Sequence, residues 1–416
     1  TNSPIHINLN ILTVLKICSF YLCSMLKKLI RFFYIYTFVF LGSSCLSNGK
    51  NPSPDNAPKF GKVKLEYTDT NSAEIKKIIY QLDTFYQSQI RMGFNGSVLV
   101  GYKGKVLYER YLGVSQKESG AKWTKETQSQ LASTSKTLTG GAICLLKDKG
   151  LLRFDDPVTM YLPSFPYPEI TVRMLLNHRS GLPDYIKFAP KPKDKNYLSN
   201  DDVVKLFATL KPKLNFPANT AFRYSNSNYA LLASIVENIS GMKFDFFMKR
   251  FIFNPIGMDH TFVIDPNEER VCTASFCYNY RWQLEPDMHL DGVSGDKGTY
   301  STVLDMYKWD QALYSGKFIK PSTLKEAYTP YSFEKPGIKN YGLGWRLLNY
   351  PDGLNIVYHN GWWHGNNTCF YRFIQDNFTI IVLGNRFNKS IYRQPQQIYN
   401  IVMQKNITEQ EMEGEE

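Results

Sequence analysis

Apolar residues recur at helical spacing early in the chain. After Ser72, a candidate N-cap, Ile75, Ile78, Ile79, Leu82 and Phe85 fall on one helix face. Val98-Leu99-Val100 and Val106-Leu107-Tyr108 flank Lys103-Gly104 and predict a hairpin. Ser133 to Lys149 predicts a helix with Leu138, Ala142, Leu145 and Leu146 on its apolar side, ending at Gly150. From Asp155 to about Thr299, Pro and Gly interrupt helical pieces such as Asp201 to Leu210 and Tyr229 to Ser240. Met306 to Leu313 predicts another helix. Leu354 to Tyr358, Cys369 to Ile374 and Thr379 to Leu383 read as strands, with Asp376-Asn377 as a turn, and Gln396 to Gln404 as a closing helix. This order predicts an α+β fold: an antiparallel sheet built from both chain ends and flanked by helices, with a mostly helical lobe inserted. The expected bounds are 72–130 and 300–405 for the α/β lobe and 131–299 for the helical lobe.

The N-terminus departs from this pattern. Met25, the expected translation start, opens the basic run Met25-Leu26-Lys27-Lys28-Leu29-Ile30-Arg31, followed by apolar Phe32 to Gly42 and then Ser43-Ser44-Cys45. This is the layout of a secretory signal. The apolar run is about half of the ~20 residues that span a bilayer. Cys45 after small residues resembles a bacterial lipoprotein cleavage site, in which it becomes the lipidated first residue. Leu41, however, lies four residues before the Cys rather than three. An uncleaved signal anchor is the alternative, lengthened by Ile11 to Cys23 if translation starts upstream. Residues 1–45 are thus read as a leader, 46–71 as a tether rich in Asn, Ser, Pro, Lys and Gly, and 406–416 as a tail. The expected location is a bacterial cell envelope, membrane-anchored and facing the periplasm or exterior. Export exposes Cys144, Cys272, Cys277 and Cys369 to oxidation. Cys272 and Cys277 could close a small loop, or all four could stay thiols. No His/Cys spacing resembles a zinc site, so no metal is expected.

Composition changes little. The 416 residues are 43% hydrophobic, enough for a sizeable core, and the formal net charge of +12 raises nucleic acid as a partner. The basic residues are scattered rather than striped, so that partner is not expected.

Chemistry enters with Ser-x-x-Lys, which puts both side chains on one helix face. A free Lys, at roughly 10.4, is a poor base at neutral pH, but burial and nearby positive charge can make it one. The bare pattern is weak: it starts at Ser24, Ser47, Ser119, Ser133, Ser240, Ser294, Ser322 and Ser332. Ser133-Thr134-Ser135-Lys136 differs in opening a long amphipathic helix, whose N-terminus favours developing negative charge. Two further segments carry chemistry. In Tyr224-Ser225-Asn226 a phenol could shuttle a proton and an amide could hold a carbonyl. In His359-Asn360-Gly361-Trp362-Trp363 the Gly permits close approach and the Trp362 N–H could face an oxyanion. Alone, the second segment reads as a turn and His359 as structural.

Together, in this order, the three segments resemble the serine β-lactamase and penicillin-binding-protein superfamily. The likeness is greatest to class C β-lactamases, D-alanyl-D-alanine carboxypeptidases, esterases and D-aminopeptidases. Thr171 to Pro183, Asn254 to Met258, Gly298 to Thr302 and Tyr341 to Trp345 are family-like phrases as well, and the likeness spans about 72–405. The resemblance implies an acyl-enzyme on Ser133, with Lys136 and Tyr224 managing its proton. It implies oxyanion donors at Ser133 and Trp362, Asn226 positioning the acyl group, and no cofactor. His359 and Gly361 would border the substrate. His178 matches a family position in the helical lobe and is read as structural. The third segment departs from the usual Lys-Thr-Gly. A mostly neutral His359 should recognise a carboxylate less well than Lys does, and Trp362 and Trp363 add apolar area; Trp363 is read as core. A small-molecule or peptide substrate follows, as ester, amide or peptide, with D-amino-acid or peptidoglycan chemistry possible. The alternatives are a class C-type β-lactamase and a catalytically silent penicillin-binding or sensing module. The oligomeric state is unset.

Overall fold

The computed structural model describes residues 60–194, 196–266 and 273–405. Met25, Cys45, Cys272, the leader, most of the tether and the tail lie outside the described residues. Among those described, no helix is long and apolar enough to cross a membrane.

Strands β1 (Glu66–Tyr67), β2 (Gly96–Tyr102), β3 (Lys105–Leu112), β9 (Lys339–Tyr341), β10 (Arg346–Asn349), β11 (Asn355–Trp363), β12 (Asn366–Phe373) and β13 (Phe378–Gly384) form an eight-stranded sheet in the order β1-β3-β2-β13-β12-β11-β10-β9. Every pairing is antiparallel except β1 with β3. The central contact joins β2 to β13, Val98 opposite Val382, so the two chain ends close one sheet.

Alternation sorts this sheet into two faces. Val98, Val100, Tyr371, Ile380 and Val382 pack under helices α1 (Ala73–Arg91) and α10 (Gln394–Met403). Ser72 caps α1 by accepting from Ile75 N–H at 3.1 Å. Leu99, Val357, Phe370, Ile381 and Leu383 face the other way, into a core shared with α2 (Ser135–Asp148), α5 (Asn226–Ser240) and α8 (Val303–Tyr314). Short helices α3 (Val172–Leu176), α6 (Phe244–Met248) and α7 (Asn254–Ile256), with α4 (Asn200–Leu210), complete the middle of the chain. Helix α9 (Pro321–Ala327) starts on a proline, a favourable first helical position. Where the chain leaves the large sheet and returns, β6 (Ser129–Gln130) pairs with β8 (Thr299–Ser301), and β8 also pairs with β7 (Phe262–Val263). A separate two-stranded ribbon joins β4 (Val114–Gln116) to β5 (Ala121–Lys122).

One detail differs from the sequence reading. Ser133 sits not in the helix but in a 3-10 turn, Ala132–Thr134, that precedes it, because Ala132 adopts a left-handed φ of +49°. Cys277 is buried with Sγ 4.0 Å from Glu285 O; Cys272, with which it could close a small loop, lies outside the described residues. Cys144 and Cys369 are buried free thiols; burial pushes the Cys144 thiol up to about 12.

Candidate active site

The turn carrying Ser133 is held from three sides. Leu131 N–H donates to Thr299 O on β8 at 2.8 Å. Thr368 on β12 donates to Leu131 O at 2.8 Å and lies 2.9 Å from Thr134 Oγ1. These bonds offset the ~1 kcal/mol strain of a left-handed Ala. Strand β11 packs directly on the turn. A Cβ at Gly361 would stand 2.3 Å from both Leu131 O and Thr368 Oγ1 and 3.1 Å from Ser133 N. Position 361 therefore has no room for a side chain, and its glycine lets the Ser133 amide adjoin the strand that carries Trp362.

Lys136 is fully buried in the first turn of α2. Its Nζ lies 3.1 Å from Ser133 Oγ, 2.8 Å from Asn226 Oδ1 and 2.7 Å from Asp296 O. The Tyr224 and Tyr229 ring centroids stand 5.0 and 5.6 Å from it. The two carbonyl oxygens can only accept, so they take two N–H groups of the amine. In the neutral amine the remaining direction, toward Ser133 Oγ, is the lone pair. In that form the amine would be placed to receive the Ser133 proton.

Asn226 is oriented in turn. Its Nδ2 donates to Asp184 Oδ2 at 2.8 Å, which fixes Oδ1 toward Lys136 and leaves one N–H for a substrate carbonyl. The Tyr224 hydroxyl is buried and makes no hydrogen bond among the described residues, so it touches neither Ser133 nor Lys136 by that route. Its ring lies 4.4 Å from the His178 ring, and the Arg346 guanidinium sits 5.3 Å over it.

The third segment divides. Asn360, Gly361, Trp362 and Trp363 line a cavity of about 860 Å³ together with Ser133, Tyr224 and Asn226. Trp363, expected in the core, packs against it and also lines this cavity, donating its indole N–H to Asp291 at 2.7 Å. Trp362 is half exposed. His359 is fully buried and is not part of the cavity wall. It belongs to a chain of bonds whose directions follow from its ends. His178 Nδ1 accepts the Ser225 N–H at 3.3 Å, so His178 Nε2 carries the proton and donates to Tyr341 Oη at 3.2 Å. Tyr341 Oη donates to His359 Nε2 at 3.1 Å, and His359 Nδ1 donates to Asn360 O at 2.7 Å. Both rings are neutral in this arrangement. Burial first holds both imidazoles well below their usual range; for His178, Lys136, His359 and Arg346 add to it, and for His359, Arg346 and Lys136 do.

This sets a pH dependence. The folded-state values are depressed, so unfolding takes up protons below about pH 6.5, and stability present above that pH is lost as pH falls. Each buried imidazole should cost about 1.4 kcal/mol per pH unit once well below 6.5. The urea midpoint should fall between pH 7 and 5.5, and His359→Asn should lose markedly less over that interval. Equal slopes would remove His359 as a cause.

Residues 91–399 match the family model described as Beta-lactamase. The chain belongs to the β-lactamase family. Penicillin-binding protein 4* of Bacillus subtilis is 35% identical over 316 residues, 72% of this chain and 70% of that protein. Among solved structures, the octameric penicillin-binding protein homologue from Pyrococcus abyssi superposes with a TM-score of 0.69 at 23% identity, covering 79% of this chain and 78% of that one. D-amino acid amidase from Ochrobactrum anthropi gives 0.65 at 23% identity, covering 80% and 98%. These two show the shared fold. Like its family, the chain is a serine hydrolase.

Within this β-lactamase-family site, four charged side chains lie outside the three sequence segments: Asp184, Asp296, Lys297 and Arg346. Asp184 follows the Ser180-Gly181-Leu182-Pro183 turn, and Arg346 follows Trp345 in a family-like phrase. Lys297 ends another of the eight Ser-x-x-Lys matches, Ser294 to Lys297. Among the described residues no group of three or more His, Cys, Asp or Glu is placed to hold a metal ion.

Proposed function

We propose that this chain is a cell-envelope serine hydrolase that forms an acyl-enzyme on Ser133 from an ester, amide or peptide bearing a carboxylate. The observation that carries the reading is the Lys136 amine, held by two carbonyl acceptors and aimed at Ser133 Oγ at 3.1 Å. Ser133 attacks the substrate carbonyl and Lys136 takes its proton. The Ser133 and Trp362 amides face the oxyanion, and the free Asn226 N–H holds the acyl side. Lys136 returns the proton to the leaving group, and water then releases the acyl group. The leader ending at Cys45 supports a lipid-anchored placement outside the cytoplasmic membrane.

His359 is the wrong group to attract a carboxylate, being buried and neutral. The cation at that end of the cavity is Arg346, which lines it beside Tyr224. Guanidinium matches a carboxylate with two parallel N–H donors. Matched substrates with a free carboxylate and with a carboxamide test this assignment. Arg346→Gln should lower kcat/KM for the carboxylate substrate by about 10- to 100-fold, the scale of one charged hydrogen bond. It should leave the carboxamide within a few fold, and an equal loss on both would remove Arg346 from recognition. The same assays, run with p-nitrophenyl esters, D-amino-acid amides and nitrocefin and with Ser133→Ala as control, define the substrate class. Turnover confined to nitrocefin would favour a β-lactamase instead. Absence of Ser133 labelling by a fluorophosphonate in folded protein would overturn the enzyme reading.

A further inference from the structure

A second buried lysine stands in the same cavity. Lys297 is 3% exposed and lines the cavity with Ser133. Its Nζ donates to Tyr185 Oη at 2.6 Å and lies 3.3 Å from Asp296 Oδ2. The Asp296 carboxylate, itself fully buried, also accepts from Tyr185 Oη at 3.0 Å. The Lys297 ammonium faces the Trp363 ring at 4.9 Å and the Tyr185 ring at 5.3 Å.

What this cluster touches is the anchor of Lys136. The Asp296 main-chain oxygen is one of the two acceptors that orient the Lys136 amine. Asp296 is therefore gripped by its side chain and used through its carbonyl. A buried carboxylate needs a partner, and a buried lysine supplies it here. Removing that lysine would leave an uncompensated negative charge next to Lys136 and release the side chain that fixes the carbonyl.

Other charges surround the pair. Asp291 adds negative potential at Lys297, and Asp184 and Asp291 add it at Tyr185, whose hydroxyl burial pushes well above its usual range. Lys136 opposes the charge on Lys297. On the far side of Lys136 the positive Arg346 and the neutral His178 and His359 face it. None of these replaces Lys297 as the direct partner of the Asp296 carboxylate from the cavity side.

We infer that Lys297 is a positioning residue for the general base: it pins Asp296 so that the Asp296 carbonyl holds Lys136 against Ser133, and it covers the Asp296 carboxylate with an opposite charge. The inference rests on the proposed role of Lys136 as the base.

The test is the pH profile of kcat/KM for a p-nitrophenyl ester in the wild type, Lys297→Met and Lys297→Arg. In Lys297→Met a positive charge is gone and a negative one is uncovered, and both changes favour protonated Lys136. The acid limb should move up by about one pH unit, cutting the rate below the limb by about tenfold while the high-pH plateau stays within a few fold. Lys297→Arg should return the limb toward its wild-type position. Should Lys297→Met fail to fold, Tyr185→Phe removes a shared bond to both Lys297 and Asp296 and should shift the limb in the same direction by a smaller amount. An unmoved or missing limb overturns the inference, whatever the plateau does. So does a rise confined to KM, which would make Lys297 a substrate contact. Failure of wild-type Ser133 to label with a fluorophosphonate would instead overturn the hydrolase reading, so the two failures are separate.

Discussion

Lys136→Met and Ser133→Ala are each expected to lower kcat by at least about 10³-fold, and the double variant is expected to lose little more. The reason is that the two side chains perform one step. General-base assistance contributes roughly 10²–10⁴-fold, and a nucleophile without its base is worth little more than no nucleophile, so the losses overlap rather than add. Methionine is unbranched like lysine, one atom shorter, and leaves the Ser133 turn in place, because that turn is held by Leu131, Thr134 and Thr368 rather than by Lys136. It does strand the Asn226 Oδ1 and Asp296 O acceptors in a buried place, at about 1–3 kcal/mol each. A lower melting temperature should therefore accompany the loss. Single-turnover acylation with a fluorophosphonate, followed at a temperature well below melting, separates the two. A Lys136→Met protein that acylates within tenfold of wild type would show that another group takes the proton, and the buried hydroxyl of Tyr224 would be the first to examine.

The parts of this site that chain order reveals are those with their own local pattern. Ser133 and Lys136 stand three residues apart in one motif, and Tyr224, Asn226 and Gly361 recur in phrases that keep their order along the chain. The parts that escaped act across the fold. Asp184 orients Asn226 over 42 positions, and Asp296 reaches Lys136 over 160. No periodicity encodes such a contact, and a single buried Asp or Lys looks the same on paper as a solvated one. His359 shows the converse: its motif was visible and its burial was not, so a residue expected at the substrate belongs to a bonded chain behind the wall. For the fold, the long strands and helices followed their periods. The edge strand β9 and its neighbour β10 did not announce themselves, since three or four residues are too few to alternate. Ser133 was drawn into the helix because nothing in the letters Leu131-Ala132-Ser133 requires Ala132 to turn left-handed. That turn depends on Thr368 and Thr299, far along the chain.

Asp310→Ala should cost about 3–5 kcal/mol of stability, the largest loss expected of any substitution away from the cavity. Arg372 on β12 and Asp310 on α8 form an ion pair at 2.5 Å with side chains 1% and 0% exposed. Arg372 also donates to Tyr328 Oη and lies 4.6 Å from the Tyr314 ring. Truncating the carboxylate leaves a guanidinium without its charge partner in the core between sheet and helix, the costly way to break a buried pair. Replacing both members with apolar side chains, as in Asp310→Leu with Arg372→Met, should recover most of the loss, because the desolvation penalty disappears with the charges. Equilibrium urea unfolding measures both. β12 is the neighbour of β11, so the pair underlies the strand that carries Gly361 and Trp362, yet no bond in it reaches Ser133 or Lys136. Folded Asp310→Ala protein should therefore keep kcat within a few fold. A variant that stayed stable but lost activity would mean that the sheet transmits strain from Arg372 to the oxyanion side of the site, and the separation drawn here between scaffold and chemistry would fail.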